Sequence, residues 1–202
     1  MDAASGRHAR RGRSNSARAQ TGTRRSATAS GTTFSSLGEM PRYALIAGYI
    51  RKFKRNGAVL DAGCGQGILF EYLDGSSIAY SGSDVSETAI AGARQRAPGA
   101  QLSVCSVEGY QTDRTVTFDV IVFNEVLPHV EDPLGTLDRF ISILNPEGLV
   151  IVSLYQNVDQ QAKATVLTRI LENEIYAGRY SVLAKSRVEN GDELKWAIYC
   201  VR

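Results

Sequence analysis

Short apolar runs alternate with amphipathic stretches along most of the chain, and the two patterns have different periods. Apolar residues recur with helical spacing in segments that predict helices at residues 36–53, 87–97, 132–144 and 158–176. Apolar runs predict strands at residues 58–60, 78–84, 101–105, 118–124 and 149–154. Residues 180–189 and 193–201 form a predicted hairpin around Asn190-Gly191, which makes the last strand antiparallel. This alternation is typical of an α/β protein with a mostly parallel sheet.

The first predicted helix has two candidate starting points. Ser36 and Glu39 have the spacing of a capping box, in which each side chain bonds the other residue's backbone N–H. Pro41 would then break a hydrogen bond inside the helix. A helix that begins at Pro41 avoids this conflict, because proline suits the first helical position.

The first 36 residues differ from the rest in charge and in apolar content. They contain seven arginines and one acid, Asp2, so their net charge is +6, which leaves −4 for residues 37–202 of the total of +2. After Met1 the first large apolar residue is Phe34, so little apolar surface is available to offset the entropy of ordering. We therefore predict a disordered Arg/Ser-rich tail over residues 1–36 and one domain over residues 37–202.

Three interpretations of this tail fit its composition. It could be a solvated extension or the result of an over-long gene start. It could be a basic arm for nucleic acid or an anionic membrane. It could be an organelle transit peptide, since such peptides are rich in Arg and Ser and poor in acids.

The remaining composition excludes several classes of protein. No secretory apolar region and no stretch of 18 apolar residues is present, so we expect a cytoplasmic protein without a transmembrane segment. The cysteines, Cys64, Cys105 and Cys200, are far apart and have neither metal-ligand nor redox-pair spacing. We expect them to be reduced, and we expect no metal site.

The stretch VLDAGCGQGI carries the first functional signal. An apolar run reaches Asp61, three glycines follow at alternate positions (Gly63, Gly65 and Gly67), and a helix-like apolar pattern comes next. This order predicts a strand, a tight turn and a helix, with a ligand close to the glycine backbone. A dinucleotide-binding turn, G-x-G-x-x-G, would need glycine where Ile68 stands. A nicotinamide-dependent oxidoreductase is therefore disfavoured.

The pattern D-x-G-x-G-x-G resembles the first motif of class I S-adenosylmethionine-dependent methyltransferases. The resemblance implies that Gly63, Cys64, Gly65 and Gly67 pack against the methionine part of S-adenosylmethionine. That cofactor carries an ammonium group, so Asp61 is expected to act on it directly or through water. A glycine turn with a purely structural role remains the alternative.

Two further motifs match the adenosine half of the same cofactor. In GSDVSETAI, Asp84 and its neighbour Val85 follow the second strand, and one carboxylate can accept hydrogen bonds from both ribose hydroxyls. Alternatively, Asp84 is a helix-capping or turn acid. In CSVEGY, Ser106 stands where the family often has an acid that reads adenine, and Val107 follows it.

The segment FDVIVFNEVLPHVEDP resembles the E-V-L-E-H-V region of ubiquinone-type and sugar O-methyltransferases, with Pro128 replacing the second acid. The resemblance brings Asn124 and Glu125 to the carboxyl edge of the sheet, beside the reacting sulfonium. His129 is the only histidine after the tail, and an imidazole can accept a hydroxyl proton near neutral pH. We predict His129 and Glu125 as catalytic residues; a histidine that only braces the loop is the alternative.

The stretch MPRYALIAGYI resembles the family's first helix, and Arg42 could pair with the cofactor carboxylate. A solvated arginine at the helix start is the alternative. The resemblance covers about residues 40–202. It implies a Rossmann-like, doubly wound, seven-stranded, mostly parallel sheet with an antiparallel C-terminal hairpin strand.

The expected function is O-methylation of a small-molecule, lipid or glycan hydroxyl with S-adenosylmethionine as cofactor. No sequence typical of a nucleic-acid methyltransferase is present, and a homodimer would be one way to close an otherwise open site. A cofactor-binding partner subunit without its own activity remains a second hypothesis.

Deleting residues 1–36 tests the boundary of the domain. The deletion removes a net charge of +6 and no predicted core residue, so the thermal unfolding midpoint and the affinity for S-adenosylhomocysteine should hardly change. Differential scanning fluorimetry and calorimetry measure the two quantities. A large fall in either would show that the tail packs on the domain.

Overall fold

The computed structural model describes residues 38–73, 78–113, 115–156, 162–190 and 194–202. Its strands are β1 (Ala58–Ala62), β2 (Ala79–Asp84), β3 (Gln101–Val104), β4 (Phe118–Asn124), β5 (Leu144–Tyr155), β6 (Val182–Asn190) and β7 (Leu194–Val201). Its α-helices are α1 (Met40–Phe53), α2 (Ile68–Glu71), α3 (Glu87–Arg96), α4 (Pro133–Ile141) and α5 (Lys163–Tyr176). A 3₁₀ turn, Leu127–His129, follows β4.

The seven strands form one sheet in the order β3-β2-β1-β4-β5-β7-β6. The first five strands are mutually parallel, and β7 pairs antiparallel with both β5 and β6. The strand order reverses direction between β1 and β4, which is where open α/β sheets bind their ligands. The predicted seven-stranded sheet with its antiparallel hairpin strand is therefore confirmed.

Helices cover both faces of the sheet. On one face α4 and α5 bury Leu137, Phe140 and Leu171 against the side chains that the central strands direct to that face. On the other face α1 buries Ile46 and Ile50 with the opposite side chains of the same strands. Strand β4 and residues 148–154 of β5 are almost wholly buried, because both of their faces are covered.

Helix α1 begins as the proline alternative predicted. Pro41 lies in its first turn, and Glu39 precedes the helix without a side-chain capping bond. Ser36, the other half of the proposed capping box, lies outside the described residues.

Residues 145–148, which lie between a predicted helix and a predicted strand, are part of β5. Phe118 pairs with Leu144 and Val120 with Leu149, so this segment of β5 is an insertion in the ladder. Glu147 has a positive φ of 64°, which lets the chain bend there and return to the strand.

The last predicted helix begins at Lys163, later than expected. Residues 157–161 and the hairpin tip, 191–193, lie outside the described residues.

Within the described ranges, no helix combines the length and apolarity needed to cross a bilayer.

Replacing Phe140 by alanine tests the packing of α4. The ring is fully buried and contacts Phe123 edge to face at 5.0 Å between centroids, so its loss should lower the free energy of unfolding by about 3–5 kcal/mol. Tyr176→Ala is the control, since that side chain is 96% exposed and should change stability by less than about 0.5 kcal/mol. Urea denaturation measures both, and equal effects would contradict the core assignment.

Candidate active site

The glycine turn after β1 is fixed to the neighbouring strand by its own backbone. The N–H groups of Gly63 and Cys64 both donate to the carbonyl of Ser83, at 2.7 and 2.8 Å. The N–H of Gly65 donates to Oδ2 of Asp84 at 2.9 Å. The turn is therefore attached to the end of β2 at three points, and its shape follows from the β1–β2 pairing.

The three glycines of the turn have two different structural roles. All have positive φ, between 54° and 80°. A Cβ on Gly63 would meet Cγ2 of Val126 at 2.4 Å, and one on Gly67 would meet Cβ of Ala93 at 3.1 Å, so these two permit close packing. A Cβ on Gly65 would meet nothing within 4 Å, so the chain leaves open space above this residue.

Asp61 is a buried carboxylate beside that space. It is 2% exposed, and its Oδ2 accepts a hydrogen bond from the hydroxyl of Tyr80 at 2.7 Å. Its Oδ1 has no hydrogen-bond partner among the described residues. Burial raises the pKa of Asp61 to about 7, the Tyr80 hydrogen bond opposes this rise, and the charge of Asp84 adds to it.

Asp84 is held by backbone groups on both oxygens. Oδ2 accepts from Gly65, and Oδ1 accepts from the N–H of Ser86 at 2.9 Å. The cap of α3 is Ser86, whose hydroxyl accepts from the N–H of Ala89. Asp84 is thus not the capping side chain, and it lines a cavity. Val85 is 73% exposed and offers an apolar surface at the same place.

A cavity of about 400 Å³ lies between the ends of β2, β3 and β4. It is lined by Asp84, Val85, Ser106, Val107, Asn124 and His129, among others. Ser106 accepts a hydrogen bond from the N–H of Gly109 at 3.0 Å, and Arg139 donates to the carbonyl of Val107 at 2.6 Å. The loop after β3 is therefore held in place by its own contacts and by α4.

A second cavity of about 200 Å³ lies over the glycine turn, lined by Tyr43, Asp61, Gly65 and Gln66. Gly63 and Asn124 line both cavities. The sheet edge therefore offers one cavity on each side of Asn124, one beside the buried acid and one beside Asp84.

Glu125 has a positive φ of 65° and is engaged on both oxygens. Oε1 accepts from the hydroxyl of Ser153 at 2.9 Å and lies 3.6 Å from Nη1 of Arg42, while Oε2 accepts from the N–H of Tyr155 at 3.0 Å. Burial raises the pKa of Glu125, and the nearby Arg42 charge opposes that rise. The Ser153 hydroxyl also lies 2.9 Å from Oδ1 of Asn124, so the two acceptors share its single proton and one hydroxyl contacts both residues after β4.

Arg42 lies between two aromatic rings. Its guanidinium carbon is 4.9 Å from the ring centroids of both Tyr43 and Trp196. Nη2 lies 3.5 Å from Glu39, and Nη1 faces Glu125. Arg42 is therefore not the solvated arginine of the alternative interpretation, since only 6% of it is exposed.

His129 lies at the end of the 3₁₀ turn, exposed at the rim of the larger cavity. No hydrogen bond of its imidazole to another residue is found within the described ranges. Cys64 is buried, and burial raises the pKa of its thiol, so its part in the turn is that of a small apolar residue. Among the described residues, no cluster of His, Cys, Asp and Glu could hold a metal ion.

Sequence reasoning missed three residues of this region. Tyr80, Ser153 and Trp196 come from β2, β5 and β7, and each contacts a predicted site residue. Only Ser153, a polar residue in an otherwise apolar strand, carries a signal in the sequence.

The sequence matches the model of a protein family described as a methyltransferase domain over residues 40–197. The match covers more than half of the chain and includes all of the predicted site residues, from Arg42 to His129. The chain belongs to this methyltransferase domain family.

Two curated relatives share the same name. The ubiquinone biosynthesis O-methyltransferase of Glaesserella parasuis is 34% identical over 117 residues, which are 54% of this chain and 48% of that protein. The protein of the same name from Bradyrhizobium diazoefficiens is 36% identical over 124 residues, 52% of this chain and 48% of the relative. The chain spans about half the length of the curated relatives it matches.

Solved structures share the fold at low sequence identity. The 1,6-didemethyltoxoflavin-N1-methyltransferase of Burkholderia thailandensis, with S-adenosylhomocysteine bound, has a TM-score of 0.64 and 22% identity over 81% of this chain and 77% of that one. The N-methyltransferase NodS of Bradyrhizobium japonicum, also with S-adenosylhomocysteine, has a TM-score of 0.68 and 19% identity over 83% and 88%. The [4+2]-cyclase SpnF has a TM-score of 0.62 and 15% identity over 79% and 80%.

Replacing Gly63 by alanine tests the packing of the turn. Its Cβ would overlap Val126, so we expect about 1–3 kcal/mol more destabilisation than for Gly99→Ala. Gly99 is the matched control because its φ is also positive, at 88°, while a Cβ there meets nothing within 4 Å. Urea denaturation compares the two variants, and equal losses would contradict the tight contact between the turn and Val126.

Proposed function

We propose that this protein binds S-adenosylmethionine at the glycine turn and transfers its methyl group to a hydroxyl of a small-molecule, lipid or glycan acceptor. One observation carries the proposal. Open space above Gly65 lies beside a buried carboxylate, Asp61, whose Oδ1 has no partner in the described part of the chain. A buried carboxylate with an unused oxygen favours a ligand that brings a positive charge or a donor.

The residues present fit this cofactor along its length. Asp61 would accept from the ammonium group, and the open backbone at Gly65 would take the methionine part. Asp84 would accept from the ribose hydroxyls, while Val85 and Val107 offer apolar surface and Ser106 a polar group to the adenine. Gly63 and Asn124, which line both cavities, would lie near the middle of the ligand.

When bound, S-adenosylmethionine supplies a methyl group that its positive sulfur already activates. The main task of the chain is then to hold an acceptor oxygen in line, and such positioning can provide about 7–11 kcal/mol of the barrier. An acceptor hydroxyl must also lose its proton, and a positioned base contributes about 10²–10⁴-fold.

We assign the base to His129 and an organising role to Glu125. Both oxygens of Glu125 already accept hydrogen bonds, from Ser153 and from the Tyr155 backbone, and Arg42 faces one of them. A carboxylate held in this way orients the loop after β4. The imidazole of His129 is exposed at the cavity rim, where an acceptor hydroxyl can reach it.

The choice of oxygen as acceptor atom rests on the curated relatives, which are named O-methyltransferases over the half of their length that this chain matches. A second function is supported by the cyclase SpnF, which shares the fold and is named for a different reaction. A cofactor-binding partner subunit without its own activity is the second candidate. It would bind S-adenosylhomocysteine and show no methyl transfer.

Substitution of Gly65 tests the cofactor site. Gly65→Val fills the open space with a branched side chain, so the affinity for S-adenosylhomocysteine in calorimetry should fall by at least about 100-fold while circular dichroism stays unchanged. Gly178→Val is the matched control, since Gly178 has a φ of 82° and open space but lies at the end of α5. Undiminished affinity in Gly65→Val would exclude this site.

His129→Gln tests the base. Turnover with a hydroxyl acceptor should fall by about 10²–10⁴-fold while the affinity for S-adenosylhomocysteine stays within about twofold. Single-turnover kinetics and calorimetry measure the two quantities. A joint, modest fall in both would mean that His129 supports the loop; unchanged turnover would mean that the acceptor needs no base.

A further inference from the structure

Tyr80 and Asp61 form a buried pair across β1 and β2. Tyr80 is 5% exposed, and its hydroxyl donates to Oδ2 of Asp61 at 2.7 Å. Val59 pairs with Tyr80 in the ladder, and Asp61 follows Val59 by two residues, so both side chains project from the same face of the sheet. Phe70 packs against the Tyr80 ring edge to face, with centroids 5.2 Å apart, which fixes the direction of the hydroxyl.

The hydrogen bond from Tyr80 engages one carboxylate oxygen of Asp61 and leaves the other free to accept from a ligand. A phenol hydroxyl has one proton to donate, and here it goes to Oδ2. Oδ1 is left without a partner in the described ranges, although Asp61 lines the cavity over the glycine turn. A carboxylate whose second oxygen is already satisfied cannot rotate away without losing that bond.

The other groups that face Asp61 do not neutralise it. Tyr43 of α1 and Cys64 of the turn are both coupled to its charge, and Asp84 at the end of β2 repels it. No lysine, arginine or histidine among the described residues lowers the pKa of Asp61. The hydrogen bond from Tyr80 is what favours its ionised form.

We propose that Tyr80 is a positioning residue, which holds Oδ2 of Asp61 so that Oδ1 is presented, ionised, to the ammonium group of the cofactor. This role of Tyr80 rests on the proposed function, because it takes the ammonium group of S-adenosylmethionine to be the group that Oδ1 binds. Tyr80 itself contacts no part of the cofactor; it acts through Asp61.

The pH dependence of binding follows from this pairing. Burial raises the pKa of Asp61 to about 7 in the free protein, and an ammonium ligand lowers it, so binding near neutral pH releases a proton and strengthens as the pH rises through about 7. Removing the Tyr80 hydroxyl removes an interaction that lowers this pKa. The affinity should then rise only at higher pH, and more protons should be released at pH 7.

Calorimetry with S-adenosylhomocysteine tests the proposal without any activity assay. At pH 7, Tyr80→Phe should bind about tenfold more weakly than the parent, and the difference should shrink towards about pH 8.5. Repeating the titration in buffers of different ionisation enthalpy counts the protons released. Tyr180→Phe is the matched control, since Tyr180 is equally buried and donates to Asp138 at 2.7 Å, away from the site.

A second ligand separates positioning from a structural role. 5′-Methylthioadenosine lacks the ammonium group, so its affinity should be the same for Tyr80→Phe and the parent. An equal loss for both ligands, or an unchanged affinity for S-adenosylhomocysteine at every pH, would overturn the role of Tyr80. A parent protein that binds neither ligand would instead overturn the proposed function.

A double-mutant cycle shows whether Tyr80 acts through the acid. Asp61→Asn should weaken binding of S-adenosylhomocysteine and abolish the proton release, and adding Tyr80→Phe to it should have little further effect. An additive loss would contradict the proposal. Should Tyr80→Phe not fold, Asp61→Asn decides: an affinity for S-adenosylhomocysteine equal to that of the parent would overturn the proposal, because Oδ1 would then bind no ammonium group.

Discussion

The geometry of the site depends on one small set of backbone hydrogen bonds, from the glycine turn to the end of β2. Two N–H groups, of Gly63 and Cys64, share the carbonyl of Ser83, and the next turn amide, of Gly65, donates to Asp84. These bonds form only if the chain turns sharply with positive φ directly after the strand. The turn therefore needs glycine at alternate positions, and an acid must end the neighbouring strand. Asp84 is thereby fixed at the place where it lines the larger cavity.

The same backbone hydrogen bonds place Asp61 and Asp84 in different surroundings. Asp61 is the last but one residue of β1 and lies inside the protein, where burial and the charge of Asp84 raise its pKa; among the described residues only Tyr80 donates to its side chain. Asp84 ends β2 beside the open cavity and is balanced by two backbone N–H groups. One carboxylate is thus left with an unused buried oxygen, and the other accepts a backbone hydrogen bond on each oxygen. This asymmetry is what a ligand with an ammonium group at one end and a polar sugar further along would require.

The features that could be predicted from the sequence are those that depend on a few neighbouring residues or on the order of the elements. Glycines at 63, 65 and 67 predict the turn, the proline at 41 predicts the start of α1, and the alternation of elements predicts the sheet. The contacts of Glu125 could not be predicted, since they depend on Ser153 and Arg42, which lie 28 residues later and 83 residues earlier in the chain. Trp196 and Tyr80 look like ordinary core aromatics in the sequence, because only the strand order brings them to Arg42 and Asp61. The roles of the individual site residues therefore stay predictions, while the fold and the family are confirmed.

A crystal structure with S-adenosylhomocysteine would show where the cofactor binds. The proposed function predicts that the ligand lies over the glycine turn, with its ammonium group about 3 Å from Oδ1 of Asp61 or joined to it through one water molecule. Its ribose hydroxyls should lie within hydrogen-bond distance of Asp84. A ligand bound elsewhere, or one that leaves Oδ1 of Asp61 without a partner, would contradict it.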